Sequence, residues 1–104
     1  MEICFEWDEA KSLTNQRKHG ISFETAARVF ADPLAFYMQD RVEDGEERWQ
    51  AVGLVEGYLL LVVAHTVREA AAERSSQEFV EIIRIISARK AGRSERRRYE
   101  NESR

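Results

Sequence analysis

Residues 48–66 read Arg48-Trp-Gln-Ala-Val-Gly-Leu-Val55, Glu56-Gly57, Tyr58-Leu-Leu-Leu-Val-Val-Ala-His65-Thr66. Two runs rich in aliphatic and β-branched residues flank a Glu-Gly pair, the pattern of a tight β-hairpin. Tyr58 to Thr66 is the strongest strand signal in the chain. An antiparallel pair is therefore where the reading of the fold starts.

Working outward, the acidic stretch Glu43-Asp44-Gly45-Glu46 marks a turn, and Leu34 to Asp40 reads as the strand before it. On the other side, residues 67–78 are polar and alanine-rich and read as a long loop or hairpin tip. A further strand follows from Phe79 to Ser87. At the N-terminus Ile3 to Trp7 forms a short opening strand. Asp8 is placed to cap a helix running to about Lys18, with Glu9 in its first turn and Gly20 as its stop. Ser22 caps a second helix whose Phe23, Ala26, Ala27 and Phe30 share one face, and Asp32-Pro33 ends it. A last helix begins near Gly92. The order β-α-α-β-β-β-β-α predicts an α+β fold: an antiparallel sheet with two N-terminal helices on one face and a basic C-terminal helix, in one domain spanning residues 1–104. Cys4, Trp7 and Trp49 read as core.

Charge is lopsided. Residues 84–104 carry eight Lys/Arg against three Glu, a net +5, whereas residues 1–83 carry eight against sixteen acids, a net −8. A basic end on an acidic body points to a polyanion or an acidic partner for that end. No apolar run approaches the ~20 residues of a membrane span, no signal peptide is visible and the cysteine is single, which together predict a cytoplasmic protein. There is no glycine-rich phosphate loop, no CxxC and no HExxH. The chain is accordingly read as using neither a metal nor a cofactor.

What the strands do carry is a set of cations. Arg48, His65 and Arg84 each stand near the polar end of a strand, and adjacent strands would let the three converge on one side of the sheet. Arg89 follows at the exit of the last strand. Such a set suits RNA cleavage without metal, in which the 2′-hydroxyl attacks the neighbouring phosphate. Histidine serves as acid or base near neutral pH, and arginine pairs two phosphate oxygens in its planar fork. Lys11, Lys18, His19 and His65 are all candidates for the general base, with His65 favoured by its strand position.

The spaced residues Phe5 to Lys11, Asn15, Lys18-His-Gly-Ile-Ser-Phe23 and Val29-Phe-Ala-Asp-Pro33 resemble the opening of the BrnT toxins. So do Glu47-Arg48, Gly53, His65-Thr66, Arg68, Arg84-Ile-Ile-Ser-Ala-Arg-Lys-Ala91 and Glu95-Arg-Arg-Arg-Tyr99 farther on. The resemblance covers nearly the whole chain. It implies a RelE-like fold and the ribonuclease toxin of a type II toxin–antitoxin pair, which cleaves RNA and inhibits translation. It also implies a BrnA-like antitoxin that forms a heteromeric complex with the toxin and alone contacts DNA, and no membrane partner. On this reading His65, Arg48, Arg84 and Arg89 are catalytic, and Lys18, His19, Lys90, Arg93 and Arg97 hold RNA. Members of the family usually pass from the His-Thr strand to the last strand through a short turn, and residues 67–78 make a longer connection here. The alternative is a non-catalytic module that binds nucleic acid or an acidic protein through the basic C-terminal helix.

Overall fold

The computed structural model describes residues 2–72 and 78–102. Strand β2 (Phe36–Glu43) turns into β3 (Glu46–Val55) through Asp44 and Gly45, at φ 53° and 78°. The link from β3 to β4 (Leu59–Ala71) opens with Glu56 and Gly57, at φ 55° and 80°. Consecutive positive φ values match the right-handed twist of the flanking strands, so both turns close tightly. β4 pairs antiparallel with β5 (Phe79–Lys90), completing the expected meander. β1 (Glu2–Glu6) adds to the far side of β5 in parallel, so the sheet is mixed and ordered β1-β5-β4-β3-β2. No hairpin joins β1 to its neighbour, and its direction is therefore not fixed by a turn.

Helix α1 (Glu9–His19) starts where the Asp8 carboxylate accepts from Lys11 N and ends at Gly20, φ 75°, whose N–H donates to Gln16 O. Helix α2 (Phe23–Ala27) begins at Ser22, which accepts from Thr25 N. The expected longer helix tightens to a 3₁₀ turn over Arg28–Ala31. That turn lies directly on β3. A Cβ at Gly53 would stand 2.8 Å from Val29 Cγ1 and 3.1 Å from Val29 O, so the close approach requires glycine.

These helices cover one face of the sheet: Ile21, Phe23, Ala26 and Val29 bury against Ala51, Leu61, Val63, Ile83, Ile85 and Ala88. Helix α3 (Arg93–Glu102) covers part of the other, with Tyr99 on Val52, Leu60 and Val62. Asp32 fastens it: one carboxylate accepts from Tyr99 Oη at 2.7 Å, from Leu54 N at 2.8 Å and from Leu34 N at 2.9 Å. Burial pushes this carboxyl up, but the three donors outweigh it and hold it below the ordinary aspartate range.

Besides the parallel β1 and the 3₁₀ turn, three further expectations are corrected. Residues 67–71 are not loop: β4 continues through them and pairs with β5 as far as Ala71↔Phe79, because Val67 and Arg68 find cross-strand partners in Ile83 and Ile82. The tip at 73–77 lies outside the described residues. Cys4 is exposed rather than core, since β1 is an edge strand and Cys4 pairs with Ile82, putting it on the face away from α1 and α2. Trp7 and Trp49 are half-buried, at the border of the core rather than inside it.

Candidate nucleic-acid interface

The register decides which cations meet. His65 pairs with Trp49 on one side and with Ile85 on the other, so the three share the helix-covered side of the sheet. Arg48 precedes Trp49, and Arg84 pairs with Thr66; both therefore lie on the opposite side, flanking β4. Two strand spacings, about 10 Å, separate their backbones, and the buried Thr66 lies between them. Arg84 reaches this side through a bulge. Ala64 pairs with Ser87 but His65 pairs with Ile85, leaving Ile86 extra. Strict alternation from Arg89, which faces Val62, would have sent Arg84 to the other face.

The expected convergence of three groups is thus a convergence of two, with His65 set apart. His65 is 2% exposed. Phe30 meets it edge-on at a 4.8 Å centroid distance, and its Nδ1 lies 3.3 Å from Val63 O. A carbonyl only accepts, so this contact is a hydrogen bond when Nδ1 carries the proton. Burial lowers its pKa, more than the Val63 contact restores. The face it occupies follows from the unbroken alternation Leu61, Val63, His65 along β4.

Arg48 and Arg84 line a narrow groove of about 50 Å³ together with Asp8, Lys11 and Glu46. Arg48 Nη1 is 3.1 Å from Glu43 Oε2, an acid across the β2–β3 turn, and its Nε is buried without a hydrogen-bond partner among the described residues. Arg84 has no hydrogen bond or ion pair among the described residues; it lies near Glu6, whose carboxylate grips Arg68 through both oxygens. That grip, with Arg68 and Arg84 close by, holds Glu6 below the usual carboxylate range.

The groove continues along α1. Asn15 donates to Ala88 O at 2.9 Å and accepts from Ala88 N at 3.2 Å, replacing the strand that β5 lacks once β1 has ended. Its other bond, to Ile21 O, ties the helix exit to the same point. This clamp lays α1 beside the bulge, so Lys11, Lys18 and His19 border a second cavity of about 260 Å³ with Thr14 and Ser87. The two cavities share Lys11 and Ile86. Lys18 and His19 therefore adjoin the Arg48–Arg84 site through Lys11 and Ile86.

Residues 7–95 match the family model described as the ribonuclease toxin BrnT of type II toxin–antitoxin systems. The chain belongs to this family. Among solved structures, the Brucella abortus ribonuclease toxin BrnT matches with a TM-score of 0.59 at 23% identity, over 89% of this chain and 100% of that one. This likeness supports the fold. No curated protein matches the sequence.

The remaining cations of this BrnT-family chain divide by role. Arg89 is not in the groove. Both its terminal nitrogens bind Glu95, at 3.0 and 3.2 Å, and Glu95 also accepts from Gly92 N at 2.7 Å. The pair caps α3 and joins it to β5, with Arg89 raised and Glu95 lowered by each other. Lys90, Arg93 and Arg97 are exposed; Lys90 is six residues beyond Arg84, about 20 Å along the strand. None of the three lines either cavity. Sequence reasoning gave Lys11 only as one of four possible bases and missed that the bulge at Ile86 brings it to Arg84. The signal that existed was helical spacing: Lys11 and Lys18 are two turns apart on α1.

Proposed function

We propose that this chain is the toxin of a type II pair, a metal-independent ribonuclease of the cytoplasm that inhibits translation by cutting RNA and is neutralised by a cognate BrnA-like antitoxin. The family supports the class of activity. The observation that carries the chemistry is the pairing of Arg48 with Arg84 across Thr66, with Lys11 at the end of the groove.

A phosphodiester seated in this groove meets two guanidinium groups, those of Arg48 and Arg84. Their charge grows in value as the attacked phosphate gains negative charge, which is how fixed cations lower a barrier. Glu46 lines the groove and accepts the 2′-hydroxyl proton; the 2′-oxygen bonds to phosphorus, the bond to the 5′-oxygen breaks, and Lys11 protonates the departing oxygen. The products are a 2′,3′-cyclic phosphate and a 5′-hydroxyl. Lys18 and His19 hold the strand beyond the cut. His65 takes no part, being buried on the opposite side of the sheet.

The test is cleavage of RNA by the purified chain in excess chelator, with the new ends identified by phosphatase and kinase treatment. Cyclic-phosphate ends, lost in Arg48→Ala and Lys11→Ala variants that remain folded, are expected. Intact RNA under these conditions, together with normal growth on expression, overturns the reading. Salt-sensitive RNA binding without turnover would instead establish a binding module.

A further inference from the structure

The helix-covered face of the sheet is only partly covered. Beyond His65, where α1 and α2 end, Ile3, Tyr37, Val67 and Phe79 are exposed at 47, 49, 42 and 51%. A cavity of about 360 Å³ opens there, walled by Phe30, Tyr37, Trp49 and His65 and rimmed by Val67 and Glu81. Contiguous apolar surface of this kind, rimmed by polar groups, marks interaction sites.

The charge beside the cavity is an independent observation. Glu69 and Glu81 are direct cross-strand partners, and both are on this face, since Val67 and Ile83 are. Like charges directly opposite in a sheet are destabilising. Neither carboxylate has a hydrogen bond or ion pair among the described residues, and Glu47 shares the same face by alternation from Trp49. The described strands place no lysine or arginine on this side near the cavity; Arg48, Arg68 and Arg84 all face the other way. The other face mixes its arginines with Glu6, Glu43 and Glu46, whereas near the cavity this one carries only carboxylates, which repel a polyanion such as RNA.

We infer that this aromatic cavity and the Glu69–Glu81 pair are the docking site for a segment of the antitoxin that carries a bulky apolar side chain next to an arginine or lysine. The apolar side chain fills the cavity against Trp49 and Tyr37, and the cation bridges the two carboxylates, relieving their repulsion. Such a buried anchor ringed by polar groups is the usual energetic centre of an interface. The inference rests on the toxin reading for the identity of the partner, but it concerns a surface that the cleavage chemistry does not use.

The test uses the full chain and the protein encoded by the adjacent short reading frame, with affinity measured by calorimetry and RNA cleavage measured separately without the partner. Val67→Asp and Glu81→Lys are expected to weaken binding at least ~10-fold, the loss of one good contact, with cleavage unchanged. Glu81→Gln is the sharper variant. It removes the like-charge pair, so the free protein should melt at a higher temperature while binding the partner more weakly. Unchanged affinity in Val67→Asp and Glu81→Lys overturns the inference, as does a wild-type chain that does not bind the neighbour at all. Conversion of a wild-type dimer to monomer by the same variants also overturns it, assigning the face to a second copy. A failure of RNA cleavage in the wild type would sink the ribonuclease reading and leave the binding result standing.

Discussion

Replacing Arg84 by alanine is the most direct trial of the groove. Arg84 is exposed and without an ion pair among the described residues, so its removal should change stability by no more than about 0.5 kcal/mol. Its effect on the reaction is another matter. Arg84 supplies an unshared fork of donors beside Thr66, and loss of one preorganised donor to a developing oxyanion costs about 10²–10³ in rate, or roughly 3–4 kcal/mol. Arg48 shares its charge with Glu43 at 3.1 Å, so Arg48→Ala should cost less, about 10–10², because part of its field is already answered. Arg84→Lys keeps the charge but loses the fork, and should fall between wild type and alanine. The assay is single-turnover cleavage of a short labelled RNA in chelator, with circular dichroism to confirm the fold. An Arg84→Ala chain that cuts at the wild-type rate, or a folded His65→Asn chain impaired as much as Arg84→Ala, would refute the reasoning.

Other outcomes follow from the packing and the titrations. Gly53→Ala sets a methyl 2.8 Å from Val29 Cγ1 and should destabilise by about 1–3 kcal/mol in chemical denaturation; adding Val29→Ala should recover part of that loss. Asp32 has a lowered folded pKa, so its contribution is complete above the ordinary aspartate value near 4 and is lost as pH falls through the lower folded value. Melting followed downward from about pH 4 should fall more steeply in wild type than in Asp32→Asn. His65 is also lowered: the unfolded chain takes up its proton first, so stability should decline as pH drops below about 6.5, and the ring carbons observed by NMR should titrate below that point.

The strands and caps were legible because they depend on neighbours in sequence. Asp8, Gly20, Ser22, Asp44-Gly45 and Glu56-Gly57 each fix a backbone angle or satisfy an end by themselves. What escaped was anything requiring register across the sheet. Alternation puts His65 with Leu61 and Val63, which is correct, but it cannot reveal that Ile86 is skipped, and that one residue decides which side Arg84 serves. Arg89 looked like Arg84 in sequence; only the fold brings Glu95 to both its terminal nitrogens. Cys4 reads as apolar core beside Phe5 and Trp7, yet an edge strand with one uncovered face exposes it. Residues 67–71 look like loop because they are polar and alanine-rich, and pair as strand because β5 is long enough to meet them.

The parallel docking of β1 and the Asn15 clamp have a consequence for synthesis. Both hold the beginning of the chain to its last strand: β1 pairs along Val80 to Arg84, and Asn15 grips Ala88. A chain interrupted before β5 would have no seat for β1, no clamp for α1 and no Arg84. Contacts of such long sequence separation form late. Helix α1, β1 and the groove they border therefore come together only once β5 has been made, and a copy that stops before it lacks Arg84 altogether.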